Sequence, residues 1–253
     1  MDQQQILSCA LDIGEQMLLS GAEVNRVELA VSMICRAYGC SRADVFIITS
    51  SMILTAQTPD GDYITQTRRI TGTATDLDKL HRLNALSRRI CAETPCYKDV
   101  QALLSAICKD PTYPLWLQVL GGGLIAFAFT LFFGGSWRDG FVACFLGLGL
   151  RLLTQLLQKT AANQIIVNVI ASFALSICTL GLVGLGIGQD ANKILIGNIM
   201  LLIPGIALTN ALRDLISGDI ITGLLRFLDA ILVAAAIAAG YILAAQLLGG
   251  GLV

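Results

Sequence analysis

The apolar positions of the chain follow three rhythms in turn. Ile6, Leu7, Ala10, Leu11, Gly14, Met17 and Leu18 recur at helical spacing and predict an amphipathic helix over 6–19. A second helix, over 23–38, places Val27, Val31, Ile34 and Tyr38 on one face, with Gly39 as its C′ residue. The stretch 44–57 is then rich in Val, Ile, Phe and Thr, and 63–70 alternates with period two. Asp60-Gly61 between these runs is a hairpin signal. Thr75 and Asp78 read as a capping box opening a helix over 76–93, and a shorter helix over 98–108 leads to Pro111 and Pro114. Two helices, a β-meander and two more helices predict a small α+β domain over 1–112.

Beyond Pro114 the rhythm gives way to long apolar runs, at 115–133, 141–157, 165–187, 194–212 and 220–248. Each approaches or exceeds the ~20 residues that cross a ~30 Å hydrocarbon core. They predict an all-α membrane bundle of about five transmembrane helices over 113–253, with Trp116 and Trp137 at the interfaces. Charge tells the same story: 11 of 17 basic and 13 of 18 acidic residues lie at or before Asp110. One chain thus reads as a water-soluble front and a lipid-embedded back. The N-terminus lacks the basic and apolar regions of a cleaved signal peptide, which predicts a cytoplasmic front. The inner connections then carry Arg151, Lys159, Arg213 and Arg226 against Arg138 and Lys193 outside, the bias expected of that orientation.

Candidate chemistry is sparse in the front domain. A net charge of −1 with no basic run argues against a nucleic-acid partner. The eight cysteines lack CxxC spacing, and the single histidine, His81, sits among Asp78, Lys79 and Arg82 as on a solvated helix face. No metal or cofactor is expected. Thr49, Ser50 and Ser51 have no nucleophile elbow around them. Glu23, Arg26 and Glu28 form the densest charged cluster, at a helix start where the dipole alone favours acids.

The membrane half is more telling. Pro204-Gly205 inside the fourth apolar run predicts a broken helix, tolerated only within protein or beside a wet cavity. Asn210, Arg213, Asp214, Asp219, Arg226 and Asp229 follow closely. Asp229 lies about ten residues into the fifth run, with Arg226 three positions before it as a candidate ion-pair partner. Discontinuous helices line transporter substrate sites, so Pro204, Gly205, Asn210, Arg213 and Arg226 are candidate substrate ligands. Asp229, Asp219 and Asp214 are candidate proton carriers; an interfacial anchor remains the competing reading for Arg213, Asp214 and Asp219.

The strings GAEVNRVE (21–28), LLIPGIALTNALRDLISGD (201–219) and TGLLR (222–226) resemble the bacterial threonine/serine exporter family, in particular its half-size members. The resemblance spans nearly the whole chain. It implies an exporter subunit of the bacterial cytoplasmic membrane for threonine, serine or a dicarboxylate such as succinate. It also implies a second small membrane subunit supplying a further block of spans; coupling to protons is instead an expectation from the acids Asp229 and Asp219. Assembly with further copies of the chain stays open. The rival readings are a membrane-anchored hydrolase and a metabolite-sensing or regulatory subunit acting through the front domain.

Overall fold

The computed structural model describes residues 2–72, 74–110, 113–160 and 163–247. The chain divides into two compact units: Met1–Asp110 with Ile206–Leu228, and Pro111–Gly205 with Asp229–Val253. It is mostly helical, with one small sheet.

The first unit opens with α1 (Gln3–Leu19) and α2 (Val24–Ala37). Helix α1 starts three residues before the expected position, because the Gln5 side chain accepts the Asp2 backbone N–H at 3.3 Å. Strands β1 (Arg42–Ile48), β2 (Ser51–Gln57) and β3 (Tyr63–Arg69) form an antiparallel meander in the order β1-β2-β3. The run 44–57, read as one strand region, is therefore two strands folded at Thr49–Ser50, with Ile48 opposite Ser51. The Asp60-Gly61 turn joins β2 to β3 as anticipated, Gly61 taking a φ of +92°. Helix α3 (Leu77–Glu93) is capped by Asp76, whose carboxylate accepts the Lys79 N–H at 2.9 Å; the cap lies one residue later than the Thr75 box implied. Helix α4 (Tyr97–Lys109) completes the series. Leu7, Leu11, Met17, Ile34, Met52, Leu54, Leu83 and Ile90 fill the core, each fully buried.

The second unit contains α5 (Leu115–Phe132), α6 (Trp137–Thr160), α7 (Gln164–Gly184) and α8 (Ala191–Ile199). After a turn come α9 (Gly205–Ile216) and α10 (Ile220–Leu247). Among the described residues four helices, α5, α6, α7 and α10, are long and apolar enough to cross a membrane. The fourth of the five expected spans is divided where Pro204-Gly205 predicts a break. Pro204 has no N–H to give and the chain turns through 200–204, so α8 keeps only 9 residues, about 14 Å of helix. The second unit is inside-out relative to the first: Trp116, Leu124, Phe132, Phe141, Phe145 and Leu156 point outward. That exterior suits lipid, not water.

Small residues let these helices touch backbone to backbone. A methyl on Gly147 would lie 2.9 Å from the Gly122 carbonyl, and one on Gly197 2.8 Å from the Thr130 nitrogen. Ser172 of α7 donates to the Ile237 carbonyl of α10 at 2.7 Å, and a methyl on Gly240 would meet the Phe173 nitrogen and Ser172 Cβ at 2.9 Å each. Buried Asp139 accepts the Gln189 and Asp190 N–H groups at 2.7 and 3.2 Å, tying the start of α6 to the loop before α8. Arg151, the lone charge in the middle of α6, gives an N–H to Gln118 of α5 at 2.9 Å.

Gly240→Ala should therefore destabilise the protein by about 1–3 kcal/mol, the usual cost of overpacking. Gly149→Ala, with nothing within 4 Å of the added methyl, should be neutral or slightly stabilising. Thermal melts of the two detergent-solubilised variants test the contrast.

Candidate functional site

Three short stretches of the first unit converge. The loop after α1 is fixed by its own backbone: Gly21 N–H donates to the Leu18 carbonyl at 3.0 Å and Ala22 N–H to the Met17 carbonyl at 3.0 Å. Gly21 has a φ of +91°, which an L side chain resists, and a Cβ there would lie 3.0 Å from the Ala74 carbonyl. This loop offers the Gly21 and Ala22 carbonyls, then Glu23 as the N-cap of α2.

Helix α9 presents Asn210, Arg213 and Asp214 at i, i+3 and i+4, hence on one face. The start of α10 presents Thr222 and Arg226 at i and i+4, with Gly223 beside them, after Asp219 in the turn. The two helices cross closely; a methyl on Gly223 would sit 2.8 Å from the Leu215 nitrogen. Asn210 donates to the Gly21 carbonyl at 3.0 Å, and Arg213 pairs with Glu23. Arg226 Nη1 meets Asp214 Oδ2 at 2.8 Å while Nη2 donates to the Ala22 carbonyl at 3.3 Å. Asp214, only 1% exposed, also accepts the Val24 N–H in the first turn of α2.

A second layer lies beside the first. Glu28 accepts the Ile47 backbone N–H, and Thr222 donates to the Ile47 carbonyl at 3.2 Å. Burial raises the Glu28 pKa, and the Asp219 charge raises it further. Asp219 Oδ2 is buried with no hydrogen-bond partner among the described residues. Four carboxyls (Glu23, Glu28, Asp214, Asp219) thus share the cluster with two guanidiniums. Two of the acids are ion-paired to arginines; Glu28 and Asp219 are surplus. Such a surplus is suited to holding a proton.

Seven expected site residues therefore come together: Glu23, Glu28, Asn210, Arg213, Asp214, Asp219 and Arg226. Arg26 is not among them and lies on another face of α2. Pro204, Gly205 and Asp229 fall in the other unit. The expected Arg226–Asp229 pair is replaced by Arg226–Asp214, and Asp229 is exposed. Sequence reading missed the Gly21 and Ala22 carbonyls, the Val24 and Ile47 N–H groups and Thr222. Only Thr222 left a signal, its i, i+4 spacing to Arg226.

The threonine/serine exporter family (ThrE) profile matches residues 8–248. A "probable threonine/serine exporter" of Mycobacterium tuberculosis is 25% identical over 95% of this chain and 46% of its own length. A threonine/serine exporter of Corynebacterium glutamicum is 24% identical over 96% of this chain and 51% of its own. The "probable succinate transporter subunit YjjP" of Klebsiella aerogenes is 29% identical over 96% and 92%. The chain thus spans about half the length of the first two relatives and nearly all of the third. No solved structure matches it.

Removing one partner of the buried pair should cost about 3–5 kcal/mol, because the other charge is left without compensation. Arg226→Met is expected to lower the melting temperature sharply, and adding Asp214→Asn should recover much of the loss. Glu28 supplies a pH test. A carboxyl whose pKa is raised on folding favours the folded state at low pH, and that contribution is lost as pH rises through the folded value. Glu28→Gln should therefore gain melting temperature relative to the parent as pH goes from about 5 to about 8. A constant difference would show that Glu28 titrates normally.

Proposed function

We propose, on the premise that this chain belongs to the threonine/serine exporter family, that it is the larger subunit of a proton-coupled exporter of small amino acids or a dicarboxylate. The family is one of transporters, and the chain is a multi-pass membrane protein. The observation that carries the reading is the convergence of Glu23 and Glu28 with Asn210, Arg213, Asp214, Asp219 and Arg226 just after the helix break.

In this reading Arg213 is the substrate ligand. Its side chain is 56% exposed, and its partner Glu23 can be exchanged for a substrate carboxylate. Asn210 offers an amide alongside, on α9 just after the Pro204-Gly205 break. Arg226 is 13% exposed and committed to Asp214 and Ala22, so it positions the site without touching substrate. The proton resides between Glu28 and Asp219. A proton on Glu28 removes the repulsion between the two carboxylates. Proton entry on one side and release on the other would drive efflux. Asp214 is paired and Asp229 exposed, so both are weaker proton carriers.

The relatives named as transporter subunits support a second membrane subunit as partner, and the basic inner connections support a front domain facing the cytoplasm of a bacterial cell. In this proposal α5, α6, α7 and α10 span the membrane, and the fourth apolar run is interrupted at Pro204-Gly205. A hydrolase role has no observation in its favour.

The test is substrate efflux from proteoliposomes holding the chain and its small partner, driven by an imposed pH gradient. Asp219→Asn and Glu28→Gln should each lower proton-driven efflux about 100-fold, the lower range of a lost proton-transfer group. Exchange of labelled for unlabelled substrate, which needs no net proton movement, should persist. Asp229→Asn should retain gradient-driven efflux; its loss there, with Asp219→Asn active, would move the proton to Asp229.

A further inference from the structure

A separate feature of the first unit lies on the far side of α2 from Glu28. Between α2 and α3 runs a groove of about 400 Å3, within the size range of small-molecule sites. Arg26, His81 and Arg88 line it with Leu29, Met33 and Asn84, and no carboxylate does. This distribution is unusual for a chain of net charge −1. Arg42, Arg68, Arg82 and Arg89 of the same unit have carboxylate partners, whereas Arg36 and Arg69, like the two arginines of the groove, are in no ion pair among the described residues. Arg26 and Arg88 take part in none of the ion pairs among the described residues. Arg88 gives only its Nε, to the Asn84 carbonyl at 3.3 Å. Arg26 and Arg88 thus bring two exposed guanidiniums to one groove.

We infer that this groove binds a small dianion, a short-chain dicarboxylate. The guanidinium fork matches a carboxylate in a bidentate way, and two forks on facing helices ask for two acidic groups on one ligand. Leu29 and Met33, 64% and 53% exposed, supply apolar surface for the hydrocarbon between those groups. His81 and the Asn84 amide add polar contacts at the α3 wall. The site does not depend on the exporter reading, since it uses none of the residues assigned to transport. It would report ligand to α2, whose N-cap is Glu23 and whose Val24 N–H is accepted by Asp214.

Succinate is the probe, with full-length protein in nanodiscs of zwitterionic lipid. Calorimetry should show saturable binding at millimolar concentration or below. Hydrogen–deuterium exchange should slow over 26–33 and 81–91. The Arg26→Gln/Arg88→Gln variant should bind about tenfold or more weakly and lose that protection. Arg26→Lys/Arg88→Lys, which keeps charge but not the fork, should fall between. Arg213→Gln should leave the groove protection intact, which separates this site from any transport site. Unchanged protection in the double glutamine variant, a parental melting temperature being confirmed for it, would overturn the inference. So would the absence of saturable binding, inorganic phosphate binding as tightly as succinate, or protection elicited only by anionic lipid.

Discussion

A carboxylate at 1% exposure has to be satisfied from every side, and Asp214 organises the first unit around that demand. Arg226 approaches it from α10 and the Val24 N–H from the start of α2. Helix α9, which carries it, is thereby bound to both. Because Arg226 also reaches the Ala22 carbonyl, one ion pair fixes the loop after α1 as well. Glu23, Asn210 and Arg213 stand where they do because these backbones are already locked. The surplus acids Glu28 and Asp219 sit beside a charge that is spoken for, so neither can borrow Arg226.

Lipid imposes the other constraint. A membrane helix can open its hydrogen bonding only where protein or water replaces the lost partners. Pro204 opens it at the end of α8, and the chain passes from one unit to the other at Gly205–Ile206. The second unit meets its backbone demands with regular helices pressed together at glycines. The first meets its own with side chains given to carbonyls: Asn210 to Gly21, Thr222 to Ile47. Ionisable groups gather in the unit whose local structure can satisfy them.

Much of the fold was legible because its signals are local. The helical spacing in 6–19 and 76–93, the Asp60-Gly61 turn and the Pro204-Gly205 break each announce themselves within a few residues. Thr49–Ser50 did not, since Ser and Thr hydroxyls mark turns more weakly than Gly, Pro, Asn or Asp, and two strands read as one. The residues of the candidate site could be named but not assembled. Spacing offered Asp229 to Arg226, yet an exposed i, i+3 pair contributes only a few tenths of a kcal/mol. The buried Asp214 competes with far more at stake, and nothing in a linear reading ranks a partner twelve residues away above one three away. The union of Glu23 with Arg213, 190 residues apart, had no local signal at all.

That separation sets an order of events while the protein is being made. At about 5–20 residues per second, Glu23 leaves the ribosome roughly 10–40 s before Arg213 does. Through this interval the loop and first turn of α2 must survive without the helices that later cover them. An apolar surface there would invite aggregation. Glu23, Glu28 and two free carbonyls are content in water, so the nascent domain can wait, hydrated, for the end of its own chain.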